Sequence, residues 1–459
     1  MTLKLSSYKG TRDLYPSDMV LRRYVFDGWR AVMESYGYKE YMAPMLEPID
    51  VYAAKSGEEI VNEQTYSFTD RGGRQMVIRP EMTPSVTRMV AARRQEIPMP
   101  ARLYSIANFM RYERPQHGRE REFWQLNFDL FGDDSIYADA EIIEIADDLL
   151  RNFGASDEMF TIRLGDRRLT DYIMKQYLGL DDEKAGRAIK LLDKFSKMPR
   201  EKFDASMAEV IGDEALIKLN AIIEVKDIDA LPKEVLDSGV ADNLRQLIAI
   251  LRDERGIKNV HYDPKLMRGF DYYTGTVFEV FDENPENRRS LFGGGRYDGL
   301  VGLFGVEPLP VVGAAPGETM FIEFLRAHNL IPDWVKNGKY YLDIDYRIIP
   351  LGEGADTMKY ASEVAREIRT LMGGQKGSVS IDYTSRKSGA KTKAAIKATA
   401  DFIIYIGGDE VRNRTLTVKN VATGEQTSYE FDSIEQMARD AFQSKADRYA
   451  AKFNDVEEA

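Results

Sequence analysis

A charged loop between two segments of alternating polarity constrains the fold of this 459-residue chain more than any other feature. The loop lies within residues 111–125, RYERPQHGREREFWQ. Pro115 and Gly118 stand in its middle, and a continuous helix is unfavourable there because proline lacks the N–H and glycine loses more entropy. The flanking residues alternate with the period of two that strands show. We therefore predict two strands joined by a charged loop.

The outgoing strand has two chemically different faces. One face is apolar and typical of a protein core: Trp124, Leu126, Phe128 and Leu130. The other is a row of hydrogen-bonding groups beside one aromatic ring: Phe123, Gln125, Asn127 and Asp129. Most charged loops are simply solvated, and each exposed ion pair contributes only about 0.2–1 kcal/mol. Arginines around a Pro/Gly turn can also bind a phosphate group in bidentate fashion, and the polar row would bring small-molecule contacts to the same place.

Other patterns divide the rest of the chain. Residues 1–150 alternate strand and helix signals, and Thr83 is predicted as the N-cap of a helix with Pro84 at its first position. Residues 158–250 carry charged helical patterns and predict a helical insertion. Residues 328–340 predict a linker. Beyond it, alternating strands and helices, including the buried-type strand FIIYI (402–406), predict a small α/β domain with parallel pairing.

Composition excludes several classes of function. The chain has no cysteine, so disulfides and cysteine-based zinc sites are excluded and a reducing, cytoplasmic location is expected. Its three histidines leave little material for a hydrolase triad or a histidine metal site. The first residues lack the apolar core of a signal peptide, and no uncharged apolar run approaches the ~18–20 residues that span a membrane.

The charge distribution permits only a local surface for nucleic acid. The whole chain carries a net charge of −12, whereas residues 381–420 hold eight basic and four acidic residues, a balance of +4. The basic residues are Arg386, Lys387, Lys391, Lys393, Lys397, Arg412, Arg414 and Lys419. A solvated basic helix is the common meaning of such a run. RNA binding is the alternative, and its affinity would fall steeply with salt.

The charged loop and its strands, FMRYERPQHGREREFWQLNFDLFG (109–132), resemble motif 2 of the class II aminoacyl-tRNA synthetases in the form found in histidyl-tRNA synthetases. Further segments resemble the same family in the family's order: KGTRDLYP (9–16), MAPMLEP (42–48, motif 1, with Pro44), IRPEMTPSVTRMVA (78–91), MRGFDYYTGTVFEV (267–280), GGGRYDGLV (293–301) and DFIIYIGGDEVRNRTLTVKNVATGEQ (401–426). The resemblance covers nearly the whole chain. A lone triple glycine is weak, but the segments are specific in combination.

The resemblance implies an α/β (α+β) fold: a class II antiparallel-sheet catalytic core with a helical insertion, followed by a small α/β anticodon-binding domain. The expected boundaries are 1–334 for the catalytic domain, about 165–255 for the insertion and 335–459 for the anticodon-binding domain. A homodimer is expected from motif 1, and no membrane association.

The implied reaction is that of an aminoacyl-tRNA ligase: histidine and ATP form histidyl-adenylate and pyrophosphate, the acyl group passes to tRNA(His), and AMP is released. By resemblance, Arg111 and Arg268 would act on the α-phosphate as catalytic cations. Glu113 would hold the adenine amino group, Phe123 would stack on the adenine, and Arg119 would face the outer phosphates. Mg²⁺ would accompany the ATP, although the sequence assigns no metal ligands.

The histidine substrate would be held, by resemblance, through its ammonium group by Glu81, Thr83 and Gln125. Its imidazole would sit between Asp129 and Tyr273, with Tyr272 and Tyr297 nearby. Such a site would reject analogues without the ring nitrogens, because its own polar groups would lose their partners. Taken singly, each tyrosine could instead be a core aromatic. On the RNA side, the resemblance implies tRNA contacts by Arg114, Gln116, Arg386 and Lys387.

One position departs from the family pattern. Motif 3 of class II synthetases carries an arginine in a G-x-E-R step, but here the matching stretch is VGAAPGETMF (312–321), with Met320 in the arginine's place, or Thr319 after a shift of one residue. The alternative to an active ligase is therefore a catalytically silent, regulatory or RNA-binding relative. The presence of the histidine-specific segment and the anticodon-type tail favours the active enzyme.

Overall fold

The computed structural model describes residues 5–53, 64–116, 118–192, 194–195, 198–266, 272–287, 289–338, 343–352, 354–372 and 377–457. The chain divides into two compact units, Met1–Pro332 and Asp333–Ala459. None of the helices in these described ranges is long and apolar enough to cross a membrane.

The first unit begins with mixed helices and strands. In chain order they are α1 (Pro16–Ser35), β1 (Lys39–Glu40), β2 (Leu46–Pro48), α2 (Asp50–Ala53), β3 (Tyr66–Thr69), β4 (Gln75–Ile78), α3 (Thr83–Ala92), β5 (Ala101–Met110), β6 (Glu122–Phe131), α4 (Ile136–Arg151) and β7 (Phe160–Asp166). Helix α3 begins at Thr83 with Met82 as its N-cap. The predicted cap at Thr83 is therefore wrong by one residue.

A helical insertion and the last strands of the large sheet follow. The elements are α5 (Arg167–Tyr172), α6 (Asp182–Leu192), α7 (Arg200–Ile211), α8 (Asp213–Ile223), α9 (Lys233–Asp237), α10 (Asp242–Ala249), β8 (Val260–Tyr262), β9 (Thr276–Asp282), β10 (Ser290–Arg296), β11 (Val311–Ala314) and α11 (Glu318–Ala327). Two π-helical turns, Ile173–Tyr177 and Ile250–Glu254, lie in the insertion.

The large sheet has the strand order β1-β5-β6-β11-β10-β9-β7-β8 in the described part of the chain. Its central pairs are antiparallel, and only the edge pairs β1–β5 and β7–β8 are parallel. The predicted hairpin is confirmed, since β5 and β6 pair along their whole length from Ala101↔Phe131 to Met110↔Glu122. The antiparallel core of the predicted fold class is confirmed with it.

Helices α1, α4 and α11 cover one face of this sheet. The apolar face of β6 predicted from sequence points toward them, because Phe26 of α1 packs on Trp124 with ring centroids 5.5 Å apart. Trp29 of α1 in turn contacts Phe321 of α11 edge to face at 5.2 Å. Burial of these large side chains stabilises the layer by roughly 1.5–3 kcal/mol each. The opposite face of β6 is left for the polar row.

A smaller sheet of strand order β2-β4-β3 lies in the first unit. Leu46 and Tyr66 both pair with Ile78, so their side chains share one face of this sheet. Phe68 is on the same face two residues further on. Leu46 and Phe68 are 46% and 43% exposed. This apolar sheet face therefore remains open to solvent within one chain.

The second unit contains α12 (Asp333–Lys336), β12 (Ile344–Pro350), α13 (Ala355–Met372), β13 (Gly377–Ile381), α14 (Ser388–Lys397), β14 (Phe402–Ile406), α15 (Gly408–Asn413), β15 (Thr415–Asn420), β16 (Gln426–Glu430) and α16 (Ile434–Glu457). Its sheet order is β13-β12-β14-β15-β16. The predicted parallel pairing is confirmed for β13, β12 and β14, whereas β15 and β16 are antiparallel. The segment predicted as a linker (328–340) contains the boundary between the two units, at Pro332 and Asp333, together with the short helix α12.

Candidate active site

A groove floored by backbone runs across the face of the large sheet opposite α1, α4 and α11. Gly313 of β11 pairs with Asp129 on one side and with Gly295 of β10 on the other, so all three face the same way. A Cβ at Gly313 would overlap Oδ1 of Asp129, and one at Gly295 would lie 3.0 Å from the Tyr273 ring. Glycine within a strand marks a place where another group approaches the backbone closely. Here the groups above the glycines are the predicted histidine-binding side chains.

Asp129 is buried in this groove at 4% exposure and accepts a hydrogen bond from the hydroxyl of Tyr297. Burial raises the pKa of Asp129 to about 7, while the hydrogen bond from Tyr297 acts in the opposite direction. Asp129 is thus buried away from solvent, where each hydrogen bond that its carboxylate accepts favours the charged form.

Arg296, which precedes Tyr297 in the chain, holds the end of β10 in place. Its guanidinium binds Asp139 at 2.5 Å and the carbonyls of Asp133 and Ser135.

Glu81 forms the second buried acid of the groove. The hydroxyl of Tyr272 donates to its Oε2 at 3.4 Å, and Thr83 also hydrogen-bonds that hydroxyl. Arg79, which is 3% exposed, holds the segment before Glu81 by donating to the carbonyls of Ala43 and Asn108 at 2.7 and 3.0 Å. The sequence assigned no role to Arg79, although it stands two residues before Glu81 in the segment IRPEMTPSVTRMVA (78–91) that resembles the family.

Three tyrosine rings close one side of the groove. Tyr272 and Tyr273 have centroids 5.0 Å apart, Tyr272 and Tyr297 5.5 Å, and Tyr273 and Tyr297 6.5 Å, all in edge-to-face geometry. Burial raises the pKa of each hydroxyl, so all three stay protonated and able to donate. Of the three hydroxyls, that of Tyr297 hydrogen-bonds Asp129 directly, and the role predicted for Tyr273 at the substrate ring remains a prediction.

Arg111 lies at the mouth of the groove, just beyond the end of β5. Its Nε donates to the carbonyl of Pro80 at 2.9 Å, and its guanidinium stacks on the ring of Phe123 at 5.2 Å. Gln125 faces the same side of β6 and forms a bridge with Gly317. The predicted phosphate cation, the aromatic platform and the start of the polar row are therefore adjacent.

The loop between β5 and β6 carries its own ion pair. Nη1 of Arg119 lies 2.7 Å from Oε2 of Glu113, which joins the two residues predicted to contact opposite ends of ATP. Arg114 and Gln116 are exposed on this loop, and Gln116 accepts a hydrogen bond from Arg289 at 2.7 Å. The roles predicted for these four residues remain predictions.

The first turn of α11, where the family arginine is missing, contacts this loop. A Cβ at Gly118 would overlap the sulfur of Met320, so the thioether packs directly on the loop backbone. Thr319 donates to Oε2 of Glu120 at 3.2 Å. Glu318, at 2% exposure, receives two hydrogen bonds from Arg22 of α1 at 2.5 and 2.6 Å. The step thus joins α1, the loop and the sheet by contacts that motif comparison alone did not reveal.

Arg268 and His117 lie outside the described residues, so the second predicted α-phosphate cation has no described geometry. In the described ranges, no three acidic, histidine or cysteine side chains lie together as a metal site. Mg²⁺ commonly binds through one or two carboxylates together with phosphate oxygens and water. Glu279, which pairs with Gly293 on the groove side of β9 and β10, is a carboxylate of this kind. A charged residue inside the apolar strand TVFEVF was the sequence signal for it.

The basic surface of the second unit is smaller than its sequence suggests. Lys391 is buried and donates to the carbonyl of Asp382 at 3.2 Å, Arg386 pairs with the carboxylate of Asp382 at 3.2 Å, and Arg414 lies over the ring of Phe431 at 4.4 Å. Lys387 remains exposed at the start of α14. Tyr383, 69% exposed, stands nearby in sequence and was not predicted.

Comparison with known proteins assigns this architecture. A family model described as histidyl-tRNA synthetase matches residues 10–317, and one described as anticodon binding domain matches residues 345–441. A histidine–tRNA ligase of Leptospira biflexa is 38% identical over 448 residues, which cover 95% of this chain and 98% of the relative.

Solved structures share the fold. Histidyl-tRNA synthetase from Nostoc sp. PCC 7120 superposes with a TM-score of 0.74 at 23% identity, over 95% of this chain and all of that one. A protein from Bacillus halodurans, described as an ATP phosphoribosyltransferase regulatory subunit/histidyl-tRNA synthetase, gives 0.69 at 22% identity, over 89% of this chain and all of that one. The fold alone therefore does not separate ligase from regulatory subunit.

The antiparallel sheet with its polar groove and the C-terminal anticodon-binding domain define an aminoacyl-tRNA synthetase. Within that class, the chain belongs to the histidyl-tRNA synthetase family.

Proposed function

We propose that this synthetase activates histidine with ATP and transfers it to tRNA(His). The observation that carries the proposal is the buried Asp129–Tyr297 pair, which lies in one groove with Glu81 and above strand glycines. An acid that accepts and phenols that donate match the two nitrogens of an imidazole, and a second acid matches the ammonium group. The regulatory alternative receives no support from the curated relatives.

In the first step, the carboxylate of histidine attacks the α-phosphorus of ATP and pyrophosphate leaves. The ammonium group of histidine is held by Glu81, Thr83 and Gln125. The imidazole ring is held by Asp129, Tyr273 and Tyr297.

The ATP is held by other residues of the groove. Arg111 neutralises charge on the α-phosphate in the transition state, and Phe123 stacks on the adenine. Mg²⁺, when bound, neutralises the outer phosphates. The two catalytic tasks left to the chain are thus positioning and charge stabilisation.

In the second step, a hydroxyl of the terminal ribose of tRNA attacks the acyl carbon and AMP leaves. Arg114 and Gln116, exposed on the loop beside the groove, contact the acceptor end. Arg386 and Lys387 contact the RNA from the second unit, whose proposed extent is 335–459, and the catalytic unit extends over 1–334. The lack of cysteine suits a reducing compartment and supports a cytoplasmic location.

A histidine-dependent ATP–pyrophosphate exchange assay tests the activation step. The purified chain should exchange label only when histidine is present, and Arg268→Ala should abolish exchange while the circular dichroism spectrum is retained. Arg93→Ala, at an exposed arginine paired with Glu96 at 3.8 Å, is the matched control and should exchange normally. No exchange in the wild type, with tRNA still bound, would favour the regulatory alternative.

We also propose that two chains associate through the exposed apolar face of the small sheet. Leu46 and Phe68 lie on this face, and an apolar patch of this kind commonly marks a protein interface. Leu46→Glu with Phe68→Glu should convert a dimer to a monomer in analytical ultracentrifugation. The control is Ile217→Glu, at a residue 72% exposed on α8, which should leave the mass unchanged.

A further inference from the structure

Three buried polar groups without partners lie side by side at the base of the groove. Across the described residues, the hydroxyls of Tyr41 and Ser105 and the amide nitrogen of Asn127 are buried without a hydrogen-bond partner. Ser105 is fully buried and Asn127 is 4% exposed. A buried polar group without a partner costs about 1–3 kcal/mol, so three together indicate that something else completes them.

The strand register places all three on the groove side of the sheet. Ser105 of β5 pairs directly with Asn127 of β6, and Asn127 lies between Gln125 and Asp129 on the polar row. Tyr41 continues β1 beside β5, since its N–H donates to the carbonyl of Tyr104 at 2.8 Å. Directly opposite side chains in a sheet lie about 4.5–5.5 Å apart. The three groups are therefore neighbours on adjacent strands.

The negative charge of Asp129 acts on one member of this cluster, the hydroxyl of Tyr41. Burial, and after it the negative charge of Asp129, raises the pKa of the Tyr41 hydroxyl well above its ordinary value. Tyr41 also packs against the apolar cluster that contains Tyr272 and Tyr297. The cluster thus belongs to the Asp129 end of the groove, not to the Arg111 end.

We propose that Tyr41, Ser105 and Asn127 form a recognition subsite for the imidazole of histidine, acting together with the hydroxyl of Tyr273 on the side of the ring nitrogen that Asp129 does not bind. The proposal rests on the proposed function. The order along β6 matches the substrate: Phe123 at the adenine, Gln125 at the ammonium group, Asn127 and Asp129 at the ring. Because the acceptor nitrogen of a neutral imidazole has a single lone pair, one ordered water bonded to the cluster would link its three groups to that nitrogen.

Single-group removals test the subsite in the exchange assay. Tyr41→Phe and Ser105→Ala should each raise KM for histidine by about tenfold, the equivalent of one lost hydrogen bond, while KM for ATP stays within about twofold. Tyr104→Phe is the matched control, because its hydroxyl binds Glu34 at 3.2 Å and its side chain alternates to the opposite face of β5 from Ser105. That variant should keep both KM values.

A specificity measurement separates recognition from a merely structural role. The ratio of kcat/KM for histidine to that for thienylalanine, a ring without nitrogen, should fall at least tenfold in Tyr41→Phe/Asn127→Leu. If that ratio and the histidine Kd by calorimetry are unchanged while only the Tm falls, the subsite is overturned. A wild-type chain that neither binds nor activates histidine instead overturns the proposed function, so the two failures are distinguishable.

Discussion

At the residue scale, burial of Asp129 favours its neutral form, whereas recognition of the histidine ring favours its charged form. The folded-state pKa of about 7 exceeds the ordinary value of 3.8, because burial disfavours the carboxylate. The folded chain therefore holds the proton more tightly than the unfolded chain does. Stability from this group is fully present below about pH 4 and is lost as pH rises through about 7, whereas the carboxylate that dominates above 7 accepts a ring N–H more strongly than the neutral acid does.

Asp129→Asn should therefore weaken recognition of histidine and remove the loss of stability that wild type shows at high pH. We expect histidine activation to be lost, and the Tm of the variant relative to wild type to rise between pH 5 and pH 8. In the wild type, kcat/KM for a triazolylalanine substrate, whose ring stays neutral, should increase with pH around 7. Thermal melts and exchange rates across this range provide the measurement. A pH-independent difference in Tm would contradict the proposed titration.

At the element scale, the contact between the β5–β6 loop and α11 depends on the absence of a side chain at Gly118. Its φ of +73° disfavours other residues, and a Cβ would also displace Met320. We expect Gly118→Ala to raise KM for ATP several-fold, because Arg119 adjoins this position. Gly73→Ala shares the positive φ of +80° but has open space around it. An equal effect of both substitutions would show that backbone strain alone, without the Met320 contact, is responsible.

The ion pair between Arg22 of α1 and Glu318 of α11 joins two helices over the sheet. Its side chains are only 12% and 3% exposed, so removing one partner leaves a poorly solvated charge. We expect Glu318→Gln to lower the free energy of unfolding by about 3 kcal/mol, and Arg22→Met in the same chain to restore part of it. Urea denaturation of the double-mutant cycle measures the coupling. The exposed pair Arg30–Glu40, at 3.8 Å, should show a coupling below about 1 kcal/mol.

At the scale of the whole molecule, a chain of net charge −12 must bind an anionic partner through a restricted surface. Lys387 is exposed, whereas Lys391 and Arg386 interact with Asp382. We expect Lys387→Glu to weaken tRNA binding and to reduce the slope of log K against log salt by about one. Arg439→Glu, at an exposed arginine on α16, should leave the slope nearer the wild-type value. Filter binding at several salt concentrations provides both slopes, and identical losses would argue against a local RNA surface.

Much of the architecture was predictable from local pattern. Alternation in residues 101–131 predicts the β5–β6 hairpin, because side chains of period two must have one face in the core. The same pattern identified the row of Gln125, Asn127 and Asp129. Short motifs then indicated the family, and the family model and curated relatives confirm it.

Other features depend on contacts between residues far apart in the chain. Tyr297 meets Asp129 across 168 residues, and Arg22 meets Glu318 across 296. Local periodicity carries no information about which strand lies beside which, so the sequence did not reveal that Tyr297 binds Asp129 directly. Likewise, Lys391 was predicted as part of a basic surface, but the packing of α14 buries it.

By itself, then, the sequence determined the β5–β6 hairpin, the helical character of the insertion, the α/β character of the second unit, the family and the chemical types of the groups in the groove. Only the tertiary structure decided the pairing of Asp129 with Tyr297, the glycine floor of β10 and β11, and the adjacency of Tyr41, Ser105 and Asn127. The physical reason is that periodicity reports the environment of one element, whereas sheet order and register, set by packing of the whole chain, decide which side chains meet.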